Sequence, residues 1–429
     1  MDKRFFKLFD LTEEQAIAIL DTPPDQVSEN DSRYIAASHL VNFSTEQSVQ
    51  ALIRALEQTD PALDNRIVRR KAIETLGRLQ VPEALPFIRP CLTENDKFTV
   101  ENAVWAIGEI GTQDAALLDE IAALLATPEQ NYRVIIQTLA KLGHQPALEA
   151  IRSFVNYPEP PVVTAAITAI AQLTGDTTDL PRVVAYLQHP KVMARRLAIQ
   201  DLMDARYYEA IPAIAQCPVS LVFRLRGMRL LAEVGIAAEA LSFETIQPDL
   251  ERTLRDHPTD LNLVSRYDHP PELSLLIRDL YDTDFGRCYL AAHTLLQDHA
   301  AAAPAALIAT YQEEACADYG AHFHVVKLLG WLRYAPAYEV LIEALHNQQP
   351  QFQKSRAAAA IALGELGDRR ALDDLKKCLT TRIWDLKYAA LMALQQLGDT
   401  SSAQLVAQDQ DWLVQAKASQ LLALSSVGG

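Results

Sequence analysis

One helix signature returns along this chain every 29 to 36 residues. It reads Ala-x-x-x-Leu-Gly or close to it, and its clearest copies are Ala72 to Gly77, Ala103 to Gly108, Ala359 to Gly364 and Ala390 to Gln395. The large apolar residues that anchor the copies are Leu40, Leu76, Ile107, Leu139, Ile170, Leu202, Leu231, Leu263, Leu295, Leu329, Leu363 and Leu394. Four residues earlier stands Ala36, Ala72, Ala103, Ala166, Ala198, Ala291, Ala359 or Ala390. A small and a large apolar residue four apart share one helix face, and the small one lets a neighbouring helix come close. Second amphipathic stretches fill the gaps, such as Val81 to Leu92, Asp114 to Leu125 and Ala337 to Leu345. Each period is therefore a helical hairpin, which buries its apolar face only by stacking on its neighbours.

The fold class expected is all-α: a right-handed α-solenoid of HEAT-like or armadillo-like hairpins, about twelve repeats long. Caps are expected at Phe5, Phe6, Leu8 and Phe9 and at Trp412 to Leu424. The rhythm weakens between Gly235 and Asp284. There Thr259 takes the alanine position of the Leu263 copy and Pro258, Pro270 and Pro271 flank it, which suggests a seam between two arrays.

Composition narrows the chemistry. With 39 basic against 55 acidic residues the formal charge is −16, and nucleic-acid binding lacks its basic footprint. Cys91, Cys217, Cys288, Cys316 and Cys378 are scattered and form no C-x-x-C pair, so a reducing, cytoplasmic setting is expected, without a disulfide frame or a metal site. No apolar run has the length of a membrane span. Phosphate-loop, dinucleotide, zinc-protease and serine-hydrolase motifs are all missing.

Three groups interrupt the Ala/Leu pattern. Seven residues before the anchors run Arg33, Arg69, Arg195, Arg224, Arg356 and Lys387, with Arg70, Arg133 and Arg196 one position later. Such a ladder either bridges acids in neighbouring turns or faces an anionic ligand. Glu101, Trp105 and Glu109 lie four apart on one helix face, as a stacking surface edged by carboxylates or as inter-repeat core. The densest polar cluster is CADYGAHFH, with Cys316, Asp318, Tyr319, His322 and His324. Asp318 is either a functional carboxylate or a helix N-cap. His322 is a candidate proton donor near neutrality. The two histidines lack the spacing of metal ligands.

The copies VRRKAIETLGRL, VENAVWAIGEIG and SRAAAAIALGELGD resemble the HEAT-like repeat of phycobilin lyases. The opening MDKRFFKLFDLTEEQAI, the run DSRYIAASHLVNFS and YRVIIQTLAKLG resemble the E-type partner of the E/F class, and the rest resembles the F-type partner fused in one chain. The resemblance implies a cap at 1–30, an E-type array at 31–265 and an F-type array with C-terminal cap at 266–429. It also implies an activity, a carbon–sulfur lyase joining a linear tetrapyrrole by a thioether to a cysteine of a phycobiliprotein subunit. Within the class the chain is most similar to fused lyases serving phycoerythrin α, with phycoerythrobilin as substrate and no tightly bound cofactor. A separate small F-type partner, a non-enzymatic scaffold and a bilin chaperone are the alternatives. The family's isomerising members carry an Asn-His-Cys motif; this chain has no His-Cys dipeptide. Such chemistry needs cations for propionates, a carboxylate for pyrrole N–H groups and aromatic rings for stacking. The candidates are Asp318, Tyr319 and His322 for catalysis, and Glu101, Trp105, Glu109, Arg69, Arg133, Arg356 and Cys316 for bilin binding.

Overall fold

A computed structural model describes residues 11–29 and 31–427, and every regular element among them is helical. Eleven of the twelve signature copies form helices: α1 (Arg33–His39), α2 (Leu63–Arg78), α3 (Lys97–Ile110), α4 (Tyr132–Lys141), α5 (Pro160–Thr174), α6 (Val192–Asp204), α7 (Leu221–Ala237), α8 (Phe285–Asp298), α9 (Tyr319–Trp331), α10 (Gln353–Leu366) and α11 (Trp384–Gln396). Side-chain caps fix several of the starts. Ser32, Asp96, Asn131, Asp284 and Asp318 each accept a first-turn N–H of the following helix. Shorter helices alternate with these, so the architecture is the expected stack of about twelve HEAT-like hairpins. The chain divides into two compact units, Met1–Leu180 and Pro181–Gly429.

The alanines four residues before the anchors are all fully buried. Small residues flanking several anchors make close helix contacts. A Cβ on Gly77 of α2 would lie 2.8 Å from Ala106 Cα of α3, and one on Gly364 of α10 would lie 3.0 Å from Ala393 Cα of α11. Gly330 of α9 meets Ala362 of α10 in the same register, and Gly108 of α3 meets Thr138 of α4. A glycine just after one anchor therefore faces a small residue just before the next. In the first unit Thr75 and Thr138 add a second stitch, donating to the carbonyls of Ala37 and Val104 in the preceding signature helix.

The Leu263 copy departs from expectation. Residues 261 to 272 carry no helix. Asp256 ends the helix Phe243–Arg255 in the left-handed region (φ 57), and Pro258, Pro270 and Pro271 lack the N–H a helix would need. The helix Phe243–Arg255 lies instead against the signature row of the second unit. Lys327 of α9 donates to its carbonyls at Leu254 and Arg255 at 2.7 and 2.9 Å, and Lys417 pairs with its Glu251 at 2.8 Å. The expected C-terminal cap is the helix Trp412–Val427, with Leu413, Val414, Ala418 and Leu421 buried. Phe5, Phe6, Leu8 and Phe9 lie outside the described residues.

Glycine inside a helix ordinarily costs about 1 kcal/mol against alanine, yet the contacts above reverse that preference. Gly330→Ala is expected to destabilise the protein by about 1–3 kcal/mol through overpacking against Ala362. At Gly320, where an added Cβ would meet only ordinary contacts, the same change should be neutral or mildly stabilising. Urea unfolding of the two variants against the parent checks this, and equal midpoints would remove the glycine contact as the determinant of helix spacing.

Candidate functional site

The arginine ladder is built into the repeat junctions. Arg33 donates to Leu20 O, Asn65 and Asp64; Arg69 to Leu56 O and, through both terminal nitrogens, to Glu94 at 3.1 and 2.6 Å. Arg356 donates to Leu345 O at 2.9 Å and to Gln353, and Arg133 to Pro161 O at 2.7 Å. All four are buried. Each of Arg33, Arg69 and Arg356 satisfies a carbonyl near the end of the preceding helix, and Arg33 and Arg69 also reach an acid of a following turn. Arg69, Arg133 and Arg356 are thus placed in the joints of the array.

Residues 101 to 109 belong to the first unit. Trp105 is half-buried and packs over α2, its ring 3.0 Å from where a Gly77 Cβ would stand. Glu109 pairs with Lys141 of α4 at 2.8 Å. Glu101 is half-buried and makes no ion pair among the described residues. Of the three, Trp105 follows the core reading most closely.

The 316–324 cluster belongs to the second unit and opens α9. Asp318 caps the helix: its Oδ1 accepts from Gly320 N at 2.8 Å and Ala321 N at 2.7 Å. That bonding occupies one carboxylate oxygen and leaves Oδ2 available, so capping and ligand contact are compatible. Tyr319 is 51% exposed. Cys316 is the one exposed cysteine; the other four are buried, and burial pushes the thiols of Cys91 and Cys217 up to about 12.

His322 requires a correction. It is fully buried, with Phe352 4.6 Å away ring to ring and Tyr311 Oη 3.5 Å from its Nε2. Burial, and secondarily the charge of Lys354, push its pKa down to about 4. It is therefore a neutral ring at physiological pH and not the proton donor expected from its intrinsic range. His324, also buried, lies 4.7 Å from the Phe285 ring and 5.3 Å from Tyr289, and its pKa is lowered further by burial.

The group the sequence did not reveal is Lys354, the second residue of α10. Its Nζ lies 4.2 Å from the Phe285 ring centroid, 4.3 Å from Tyr319 and 5.0 Å from Phe323, and it has no hydrogen-bond partner. Burial pushes its pKa down to about 8, while Cys288, Asp256 and Asp318 pull weakly the other way. A buried ammonium without a carboxylate is costly, and the rings offset only part of that cost. Other unsatisfied buried atoms accompany it: His322 Nδ1, both His324 nitrogens and Ser355 Oγ. These atoms cluster around the start of α9 and α10, while elsewhere Arg66, His144, Arg195 and Arg196 each leave a single nitrogen without a hydrogen bond. Two residues before a ladder arginine, Lys354 reads in the sequence as one more surface lysine of a helix start.

Two neighbouring polar regions of this unit differ because they are internally complete. Arg224 is buried and bonds Asp256, Tyr289 Oη (3.0 Å) and the carbonyls of Val219 and Ala215, while Tyr289 Oη donates to Asp256 Oδ2 at 2.8 Å. A cavity of about 500 Å³ is lined by Gln247, Glu251, Gln395, Lys417 and Gln420 among others. There Lys417 donates to Glu251, Gln395 and Gln420, and Gln247 and Gln420 bond each other.

The fold so described is that of a HEAT-like helical-repeat protein. Its sequence places it further. Residues 62–133 and 338–423 match the HEAT-repeat model and residues 32–58 the PBS lyase HEAT-like repeat. The chain is 60% identical to the uncharacterized phycocyanin operon protein Y of Pseudanabaena tenuis, over 97% of this chain and 99% of that one. It is 34% identical to the bilin biosynthesis protein CpeY of Synechococcus sp. strain WH8020, over 93% and 99%. A phycocyanobilin lyase subunit alpha of Synechococcus elongatus shares 35% identity over 48% of this chain and 80% of its own. The solved complex of CpcE and CpcF of phycocyanin lyase from Nostoc aligns at 27% identity, covering 57% of this chain and 94% of the matched chain, with a TM-score of 0.49. The chain belongs to the HEAT-repeat family of bilin lyases.

The two charged groups give opposite expectations. Asp256→Ala strands Arg224 in the interior and should cost about 3–5 kcal/mol. Lys354→Met removes an unpartnered cation and should stabilise. Lowering a lysine from 10.5 to about 8 corresponds to roughly 3 kcal/mol at most. That penalty is fully present below pH 8, where folded and unfolded chains both carry the proton, and it fades between pH 8 and 10.5 as the folded state stays deprotonated. The gain from Lys354→Met should therefore be largest at pH 7 and vanish above about pH 10.5. Chemical unfolding across that range measures it; a loss of stability at pH 7 would show that the lysine is structurally supported.

Proposed function

We propose that this lyase joins phycoerythrobilin through a thioether to a cysteine of the phycoerythrin α subunit, using the Lys354 region to hold the pigment. The observation that carries this reading is the buried Lys354 ammonium, which faces three aromatic rings and has no counter-ion. With the exposed Tyr319 ring swung off the covered lysine, a linear tetrapyrrole brings what such a place lacks: a carboxylate for the ammonium, a conjugated plane for Tyr319 and pyrrole N–H donors for Oδ2 of Asp318. Cys316, exposed just before Asp318, borders the same place.

The reaction is an addition. The client thiol sulfur bonds to the exocyclic ring-A carbon, the ring-A double bond is lost, and the thiol proton ends on the adjacent ring carbon. Nothing leaves, and no resident cofactor enters the scheme. The chain's task is orientation: an anchored pigment exposes one carbon to one thiol, which supplies much of the rate and suppresses random addition. The resemblance to fused E- and F-type halves, divided at 265/266, supports action without a separate F-type partner. Four buried, free cysteines suit the reducing cytoplasm. No helix among the described residues is long and apolar enough to cross a membrane.

Phycocyanobilin is the second pigment to test, since the relative from Synechococcus elongatus is named for it. Co-expression with each bilin's synthesis enzymes and candidate apo-subunits should give a covalent, zinc-fluorescent band on phycoerythrin α with phycoerythrobilin. The band should disappear when the acceptor cysteine is changed; a colourless client under both bilins overturns the reading. Within that assay Asp318→Ser keeps the cap and removes the carboxylate. It should leave the melting temperature nearly unchanged and depress ligation at least tenfold.

Pigment affinity should also titrate. A propionate on Lys354 raises its pKa above about 8, so binding takes up a proton near pH 8–9 and weakens as pH rises through that window. Absorbance titrations at pH 7 and pH 9.5 should differ by roughly tenfold, and Lys354→Met should remove the difference. A pH-independent affinity in the parent would detach the lysine from the pigment.

A further inference from the structure

A lyase that orients a pigment must also seat the protein that carries the thiol. We infer that the exposed face of α6 and α7 formed by Met193, Arg196, Val222, Phe223 and Arg226 is the client-docking surface, and that it accepts a carboxylate-bearing, apolar protein surface. This rests on the proposed lyase reaction.

Three observations carry it. First, the face is apolar where a signature helix should be polar: Met193 is 55% exposed, Val222 54% and Phe223 38%. Second, its charges lack counter-ions. Most surface arginines of this acidic chain hold an acid, as in Arg54–Asp21, Arg89–Glu120 and Arg370–Asp368. Arg226 is exposed and makes no ion pair among the described residues, and Arg196 makes none either. Arg196 lies over the Phe223 ring at 5.1 Å, which joins a cation of α6 to an exposed ring of α7. An apolar centre edged by unpaired arginines is the composition of a protein interface, and its charge complements a partner rich in carboxylates. Third, the face adjoins the pigment region. The same Arg196 donates to Thr283 O at 3.4 Å, two residues before Phe285, whose ring is 4.2 Å from Lys354 Nζ. A client seated here has its thiol beside the pigment.

The test uses the full chain and apo-phycoerythrin α, with affinity measured by biolayer interferometry at two salt concentrations and pigment affinity by absorbance. The double variant Arg196→Glu/Arg226→Glu should weaken client binding at least tenfold and flatten its salt dependence, with phycoerythrobilin affinity unchanged. Val222→Asp, which adds no arginine change, should weaken it severalfold. Lys354→Met should do the reverse, losing pigment affinity while retaining the client. Client affinities within twofold of the parent in both face variants overturn the inference and leave the proposed reaction standing. Loss of pigment affinity in the face variants equally overturns it, since the face would then belong to the pigment site. A parent chain that binds pigment but no apo-subunit overturns the proposed client together with this surface.

Discussion

The closest contact between successive signature helices, a glycine after one anchor against a small residue before the next, sets much of the rest. Gly77 on Ala106, Gly330 on Ala362 and Gly364 on Ala393 hold neighbouring helices too near for larger side chains at those positions. With that register fixed, the residue seven before each anchor faces the joint between repeats. An arginine there reaches the last carbonyls of the preceding helix. Carbonyls at a helix end have no intrahelical partner, so the guanidinium fills a need that recurs in every period. Bonds from charged donors are worth roughly 1.5–3 kcal/mol each, and the ladder is the polar counterpart of the Ala/Leu stripe.

The periodic part of the fold was legible because the physics is periodic. The spacing of Ala and Leu gave the signature row, its burial and the approximate number of hairpins. The aperiodic part was not. The weak rhythm, Thr259 and the flanking prolines marked a seam around Leu263, but the spacing still counted it as a signature copy, whereas residues 261 to 272 are irregular. The candidate site was half legible. The polar run from Cys316 to His324 stood out by composition, and Asp318 and Tyr319 are at the surface as a ligand would require. His322 misled because an intrinsic pKa says nothing about burial; its ring is inside, and desolvation keeps it neutral. Lys354 was invisible for the complementary reason. A lysine at a helix start is ordinarily solvated, and only the three rings from α8 and α9 make it exceptional.

The chain spends stability unevenly across its buried charges. Arg224 sits in a closed network with Asp256 and Tyr289, and Lys327 is held by two carbonyls, so both are satisfied by the protein itself. Lys354 is held by rings alone. Aromatic faces attract a cation but offer it no hydrogen bond. Of the three, Lys354 is the one whose charge the described residues leave without a hydrogen bond.

The broken repeat sets the second unit apart. In the regular first unit Arg69 reaches an acid 25 residues on, in the turn of the adjoining repeat. In the second unit Arg195 reaches Asp284, 89 residues on, at 2.6 Å, and Arg224 reaches Tyr289, 65 residues on. The segment from 261 to 272 forms no signature helix, and the start of α8 is tied to α6 and α7 by the bonds of Asp284, Thr283 and Tyr289 to Arg195, Arg196 and Arg224. Gly286 lies close under this pair: a Cβ there would stand 2.8 Å from the Arg195 guanidinium and displace it. That docking brings the first residues of α8, including Phe285, to the edge where Arg196 bonds Thr283. A uniform array would have repeated one inert joint; the interruption sets an aromatic ring, an unpartnered lysine and an unpaired arginine face side by side.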